Sequence, residues 1–248
     1  MMSRTTIVAT VALSMLLIGC GVSSSSDTTS TAAAATSSST TASAQTADTS
    51  SVAESVTFTA QVWADNWFSL TVNGVKVGED SVPITTERSF TAETFTFSAT
   101  YPLTIAMVAK DYAEDESGLE YICTDRQQMG DGGLIAEFTD MSTGKVIAVT
   151  NTTWKSLVIF RAPLNVDCVS SADPATACEH ETLTEPETWT SPTFDDSAWV
   201  AATEFTAAEV RPQGDYTTLT WSPDAQLIWS GDLKVDNTIL YRVTVADE

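Results

Sequence analysis

Short runs of alternating apolar and polar residues constrain this chain most strongly. Clear examples occupy residues 56–62, 68–72, 94–98 and 239–245. Successive side chains of a β-strand point to opposite faces, so a period of two predicts strands that are buried on one side only. Asn73-Gly74 separates two such runs and predicts a hairpin with a type I′ turn.

The same pattern continues through most of the chain. Five further segments are predicted to be strands: 101–109, 134–138, 145–150, 154–160 and 205–210. No segment has the apolar spacing of a convincing amphipathic helix. Many short strands joined by polar turns predict an all-β fold, an antiparallel β-sandwich or jelly roll, formed by a single domain over residues 56–248.

The first 19 residues have the layout of a signal peptide. Arg4 precedes an uncharged apolar stretch over 7–18, which as a helix would rise only about 18 Å and is too short for a bilayer core of about 30 Å. The Leu17-Ile18-Gly19 sequence before Cys20 resembles the lipobox of bacterial lipoproteins. An ordinary cleaved signal peptide followed by an incidental cysteine is the alternative.

The lipobox resemblance implies that residues 1–19 are removed and that Cys20 becomes a lipid-modified N-terminus. Two or more acyl chains anchor a protein stably to a membrane. The membrane would then be a partner through the lipid, and the protein would be exported to the cell envelope. Gly21 stands where some lipoproteins carry an aspartate that retains them in the inner membrane, which favours the outer membrane or the cell surface.

Residues 20–55 are predicted to be a disordered tether. Of the 35 residues in 21–55, 28 are Ser, Thr or Ala. Such a composition buries too little apolar area to offset the entropy of ordering. A flexible chain of this length has an end-to-end distance of roughly 30–35 Å, enough to hold the following domain away from a membrane surface.

The chain is strongly acidic, with 33 Asp and Glu, 11 Lys and Arg, and a net charge of −22. Loss of Arg4 with the signal peptide would leave 10 basic residues and a net charge of −23. Nucleic acids and other anionic polymers require a basic surface, so the charge excludes nucleic acid as a partner.

The cysteines beyond Cys20 divide into a pair and a single residue. Cys168 and Cys178 flank a short polar segment, and an exported compartment permits a disulfide between them. Cys123 then remains alone and is expected to be a buried free thiol. No pair has the spacing of a zinc finger.

Three segments together resemble galactose-binding-like jelly-roll modules, which accompany many glycoside hydrolases. They are Trp63 to Gly78 with its Asn-Gly turn, the Phe-Asp-Asp-Ser-Ala-Trp turn within 189–199, and the closing strand near 236–242. The resemblance implies a jelly roll, a structural role for Asp195 or Asp196 in the turn, and a buried Trp199. The stretch 100–185 matches no family pattern.

Trp63 and Trp67 are the first candidate binding residues. Both fall on the polar phase of their runs and flank Asp65 and Asn66 in a predicted turn. Exposed aromatic faces stack on sugar rings, while Asp and Asn bond sugar hydroxyls, so the four residues form a candidate carbohydrate site. The alternative is that the alternation breaks near the turn and both rings cap the core.

An acidic stretch is the second candidate site. Asp111, Glu114, Asp115, Glu116 and Glu120 lie within ten residues, and Asp131 follows in a Gly-rich segment. Calcium prefers several oxygen ligands from a flexible loop, and galactose-binding-like modules often carry a structural calcium. Asp111, Glu114, Asp115, Glu116 and Asp131 are therefore candidate calcium ligands. A solvated acidic loop is the alternative.

The sequence contains no strong catalytic motif. His180 is the one histidine, and neither a Gly-x-Ser-x-Gly elbow nor a His-Glu-x-x-His motif is present. The sequence therefore favours a non-catalytic, envelope-anchored β-sandwich that binds carbohydrate or another extracellular ligand. A structural lipoprotein that interacts with an envelope protein is the alternative, and a hydrolase with its site in the unmatched middle segment is a third.

Overall fold

The structure is a computed structural model that describes residues 54–85 and 89–247. The predicted signal peptide, Cys20 and all but the last two residues of the predicted tether lie outside the described residues. Within residues 54–85 and 89–247, no helix has the length and apolar character needed to cross a membrane.

Two antiparallel sheets make up most of the fold, with strands numbered in chain order. The six-stranded sheet has the order β13-β14-β8-β1-β4, and β9 lies beside β8. Its strands are β1 (Val56–Asp65), β4 (Ala92–Ala99), β8 (Gly133–Asp140), β9 (Val146–Val149), β13 (Thr203–Phe205) and β14 (Leu227–Trp229).

The seven-stranded sheet has the order β11-β10-β15-β5-β2-β3, and β12 also pairs with β10. Its strands are β2 (Trp67–Val72), β3 (Val75–Glu79), β5 (Leu103–Lys110), β10 (Lys155–Arg161), β11 (Glu181–Thr182), β12 (Val200–Ala201) and β15 (Asp236–Val245). A small ribbon joins β6 (Leu119–Glu120) to β7 (Gln128–Met129). The helices are short: α1 (Pro174–Ala177), α2 (Ala207–Val210), and two 3₁₀ turns at Val166–Ser170 and Gly214–Thr218.

The main core lies between the two sheets. Phe58 and Val62 of β1 point inward from one sheet, and Leu70 of β2 and Ile105 of β5 point inward from the other. All four side chains are fully buried. Apolar side chains from facing sheets interdigitate in this way in β-sandwiches. The all-β, antiparallel sandwich predicted from the alternation is therefore confirmed.

The outer face of each sheet is also covered, which the alternation did not predict. The segment 206–226 packs Val210 against Trp63 and Ile135 on the six-stranded sheet. On the seven-stranded sheet, Trp189 and Trp199 pack against strand residues of β5 and β15. The prediction that Trp199 is buried is confirmed, since 7% of its surface is exposed.

The Asn73-Gly74 turn is confirmed. It forms a two-residue connection between β2 and β3, and both residues have positive φ angles, 51° and 78°. A type I′ turn requires this combination. The predicted strand over 205–210 is wrong, because Thr206 and Glu209 form a capping box that starts α2 instead.

The predicted disulfide between Cys168 and Cys178 is confirmed. Both sulfurs pack with Leu119 in a small apolar cluster beside the main sandwich. The expectation that Cys123 is a buried thiol is wrong, because its side chain is exposed on a turn where its φ is 61°.

Candidate functional site

Trp63 and Trp67 lie on different sheets, so they do not form one binding platform. Trp63 is in β1, on the outer face of the six-stranded sheet, whereas Trp67 is in β2 of the other sheet. The alternation correctly predicted that both rings point away from the strand faces that carry Val62 and Phe68. The chain crosses from one sheet to the other between them, at Asn66, and the two outer faces point away from each other.

Neither ring is fully open to solvent. Trp63 is fully buried, because the ring of Tyr216 packs edge-on against it at 5.4 Å, and its indole N–H donates to the carbonyl oxygen of Phe90 at 3.2 Å. Trp67 is half-buried, and the ammonium group of Lys110 lies 5.4 Å from its ring centroid. The predicted exposed aromatic pair is therefore wrong.

Asp65 and Asn66 are buried as well, with 2% and 1% of their surfaces exposed. Asn66 ties the crossing between the sheets to the end of β5. Its backbone N–H donates to the carbonyl oxygen of Lys110 at 2.8 Å, and its Oδ1 accepts from the N–H of Tyr112 at 2.6 Å. Asn66 is thus a structural residue, which corrects its prediction as a ligand for sugar hydroxyls.

A cluster of four carboxyl groups occupies the same end of the sandwich. We call Asp65, Asp111, Glu120 and Asp131 the carboxylate cluster. Asp65 ends β1, Asp111 follows β5, Glu120 ends β6, and Asp131 lies just before β8. Strand pairing and the crossing at Asn66 bring them together, since Asp65 is opposite Gly133 in β8 and the Asn66 N–H donates to the carbonyl oxygen of Lys110, next to Asp111.

Asp111 is the most unusual member of the carboxylate cluster. It is 4% exposed, and within residues 54–85 and 89–247 neither of its carboxylate oxygens has a hydrogen-bond partner. The Tyr112 N–H approaches the Asp111 carboxyl group closely enough to lower its pKa, but it donates its hydrogen bond to Asn66 Oδ1 at 2.6 Å. The carboxyl group packs so closely on Gly130 that a Cβ there would lie 1.8 Å from its Oδ2. Buried polar groups are normally paired, so two unpaired oxygens require an explanation.

Burial and mutual repulsion raise the pKa values of the cluster. The pKa of Asp111 lies well above its usual range, first because of burial and then because of the charges of Asp65, Glu120 and Asp131. The pKa of Asp65 is raised well above normal by burial, by Asp131 and by Glu120. The ionised forms of Asp65 and Asp111 are therefore strongly disfavoured unless a positive charge enters the cluster.

The positive side chains near the cluster act on its outer member. Burial raises the pKa of Asp131, while Arg211 and Lys234 oppose this shift. The guanidinium of Arg211 lies 3.8 Å from the carboxylate of Asp131 and is largely exposed. This pair is therefore a weak surface interaction. The described part of the chain places no comparable positive charge beside the carboxyl groups of Asp65 and Asp111.

The predicted calcium ligands are not brought together. Asp111 and Asp131 belong to the carboxylate cluster, but Glu114, Asp115 and Glu116 are exposed. Asp115 accepts from the Ser117 N–H at 2.8 Å, and Glu114 accepts from the Ile122 N–H at 2.8 Å. These side chains stabilise local turns, so that part of the prediction is wrong, and Asp65 and Glu120 take their place in the cluster.

The carboxylate cluster is not a finished metal centre. Among the described residues, no three His, Cys, Asp or Glu side chains are arranged to hold a metal ion. The donor set nevertheless has the chemistry that calcium prefers, because four carboxyl groups offer two oxygens each. A cation would have to draw the side chains inward, or protons would have to neutralise them.

His180 is not a member of the carboxylate cluster, and two residues lie near it. Its Nε2 lies 3.8 Å from the carboxylate of Glu116, and its ring centroid is 6.1 Å from that of Phe160. Neither neighbour is a nucleophile of the kind a histidine base activates. His180 is exposed, as expected for a residue in a surface loop.

Sequence reasoning included Asp111 and Asp131 among the calcium candidates but did not connect Asp65 and Glu120 with them. For Asp65, Asp111 and Asp131 the available signal was a position just outside a predicted strand, where chain ends meet at one edge, whereas Glu120 lies beside no predicted strand. Comparison with known proteins adds no identity: no family model, curated protein or solved structure matches this chain.

Proposed function

We propose that this chain is a cell-envelope lipoprotein whose β-sandwich is a non-catalytic binding module. The carboxylate cluster is its functional end, and the ligand held there is a divalent cation such as calcium. The observation that carries the proposal is Asp111, whose two buried oxygens lack partners and are surrounded by other carboxyl groups. A cation supplies both the missing partners and the missing counter-charge.

Four side chains would hold the ion. Asp111 is fixed by the end of β5, Asp65 is fixed by the end of β1, and Glu120 and Asp131 are contributed by the segment between β6 and β8. Because the described side chains do not already surround one point, binding involves rotation of the carboxyl groups toward the ion. Cation binding would thereby tie the 119–131 segment to the sandwich.

The cation would serve a larger ligand outside the cell. The signal peptide, Cys20 and the tether support presentation of the domain from a membrane, and the galactose-binding-like segments support a jelly-roll binding module. Carbohydrate remains a proposed ligand of such a module. The residues first proposed to stack on a sugar no longer support it, because Trp63 is buried and Trp67 lies on the other sheet.

A thermal unfolding experiment tests the cation. We expect millimolar calcium to raise the Tm of the wild-type chain relative to the same chain in chelator, because a ligand that binds only the folded state stabilises it. Asp111→Asn should abolish the shift. Glu116→Gln, a change of the same type at an exposed carboxylate, should preserve it. Equal shifts in wild type and Asp111→Asn would contradict the proposal.

A separate experiment tests the anchor. Cys20→Ser removes the sulfur that would carry the diacylglycerol. We expect the wild-type chain in the membrane fraction of a bacterial host and the variant released from it. The same distribution for both chains would contradict lipid anchoring at Cys20 and would leave the cation proposal standing.

A further inference from the structure

A groove runs along the open side of the sandwich, between β9 and the last residues of β15. It consists of two adjoining cavities of 420 and 260 Å³ that share Val146, Ile147, Val245 and Ala246. Trp154 lines one of the cavities, and Tyr101 lines the other. The groove is therefore bordered by one strand from each sheet.

In the part of the chain that the structure describes, both bordering strands have an edge without a partner strand. Strand β9 pairs only with β8 there, and its Val149 carbonyl oxygen also accepts from the Trp154 indole N–H at 2.8 Å. Strand β15 pairs with β10 as far as Arg242, opposite Lys155, and beyond that point residues 243–245 pair only with β5. A strand with a single neighbour presents unpaired N–H and C=O groups, which are a template for another strand.

Part of the groove floor is apolar, beside polar residues such as Asn151 and Thr244. Ile147, Val243 and Val245 form the margin of the main core and are half-buried. Val146 is 39% exposed at the edge. An added strand would cover these side chains with every second residue of its own, since alternate side chains of a strand face the same side.

The rim of the groove is acidic. The exposed carboxylates of Asp224 and Asp247 line it, whereas Asp140 is largely buried and accepts from the Ser142 N–H and hydroxyl. Lys145 is the one basic side chain among the described residues that line the two cavities. The whole chain carries a net charge of −22. A second copy of this chain would bring the same negative charge to the groove and be repelled, whereas a basic segment would be attracted.

We propose that this groove binds an extended, basic segment of a partner polypeptide, which adds to β9 as a further strand. Apolar residues of the segment enter the groove, and the alternating Lys or Arg residues reach the rim carboxylates. The four residues of β9 span about 13 Å, so a segment of four to six residues covers the edge. Main-chain hydrogen bonds provide affinity in this mode of recognition, and side-chain alternation provides specificity.

A labelled hexapeptide of alternating lysine and valine, mixed with the full chain, tests this proposal by fluorescence anisotropy and by amide chemical shifts. We expect saturable binding, with shifts concentrated in β9 and at the end of β15. Methylating the valine backbone nitrogens should weaken binding at least tenfold, because it removes N–H donors while leaving the charge unchanged. A glutamate–valine peptide of the same length should not bind.

Two matched variants locate the site. Val146→Lys places a positive charge in the groove and should weaken binding of the lysine–valine peptide at least fivefold. Val75→Lys makes the same change on β3, another edge strand with an exposed valine, and should leave binding unchanged. No binding, equal binding of the methylated peptide, or equal loss in both variants would overturn the proposal. Self-association through β9 in the absence of peptide would also overturn it.

Discussion

Arg242 and Asp196 form an ion pair that fastens a long surface segment to the seven-stranded sheet. The Arg242 Nε donates to Asp196 Oδ2 at 2.8 Å, and the arginine side chain is 2% exposed. Its Nη1 also donates to the carbonyl oxygens of Trp189 and Ser191. One arginine from β15 thereby holds the turn that precedes Trp199.

Arg242→Met should destabilise the domain by about 3 kcal/mol, because it leaves buried carbonyl groups and one carboxylate without their donor. Urea unfolding measures the difference. Arg126→Met, at an exposed arginine, serves as the control and should change the free energy of unfolding by less than about 1 kcal/mol. Similar losses of stability in both variants would show that Arg242 does not hold this segment to the sheet.

Gly130→Ala should disturb the carboxylate cluster directly. The added methyl group would lie 1.8 Å from Asp111 Oδ2, and overpacking of this kind costs about 1–3 kcal/mol. Gly231→Ala is the matched control, since nothing lies within 4 Å of the place that its added methyl group would take. Chemical denaturation of both variants should show a loss for Gly130→Ala alone, and equal stability would place Asp111 away from Gly130.

The free energy of unfolding should decrease as the pH rises, whereas ion-paired aspartates make it increase. Burial and neighbouring carboxylates raise the pKa values of Asp65 and Asp111, so the folded state binds their protons more tightly than the unfolded chain does. The free energy of unfolding then falls as the pH rises above about 4, the ordinary aspartate pKa. In chelator, we expect the wild-type chain to be more stable at pH 5 than at pH 8.

Asp111→Asn separates the effect of the Asp111 charge on stability from the repulsion among all the negative charges of the chain. The variant should lose less stability between pH 5 and pH 8, and at pH 8 in chelator it should exceed the wild type by about 1–3 kcal/mol. Urea denaturation at both pH values provides the comparison. A variant that is less stable than wild type at pH 8 in chelator would argue against a disfavoured charge at Asp111.

The disulfide should stabilise the region that carries Glu120. Replacing Cys168 and Cys178 with serine releases a crosslink between residues ten positions apart, which costs about 2–3 kcal/mol in the chain-entropy model. Denaturation of the double variant measures the loss. Cys123→Ser, which removes an exposed thiol, is the control and should be nearly neutral. If reductant weakens the wild type and the double variant equally, the disulfide does not contribute this stability.

The alternation of apolar and polar residues predicted the sandwich, because a strand that is buried on one face has an apolar residue at every second position. The hairpin at Asn73-Gly74 and the burial of Trp199 were predictable for similar reasons, since each depends on a few neighbouring residues. The capping box of Thr206 and Glu209 is also a local sequence pattern, and it indicates the start of a helix rather than a strand.

The candidate site was only partly predictable. Proximity along the chain suggested that Glu114, Asp115 and Glu116 act together with Asp111, yet each of them serves or flanks a local turn. Asp65 lies near Asp111 because the next residue, Asn66, bonds to Lys110 at the end of β5. Trp63 is buried by a segment more than 140 residues later in the chain. No local pattern carries information about contacts of this range.

Calorimetric titration of the full chain with calcium, in two buffers of different ionisation enthalpy, tests the central claim most directly. We expect one site and binding that weakens and releases more protons as the pH is lowered, because the cation displaces protons from Asp65 and Asp111, whose pKa values are raised. Asp111→Asn should remove both the binding and the proton release. Absence of binding, or binding that releases no protons and persists in Asp111→Asn, would contradict the account.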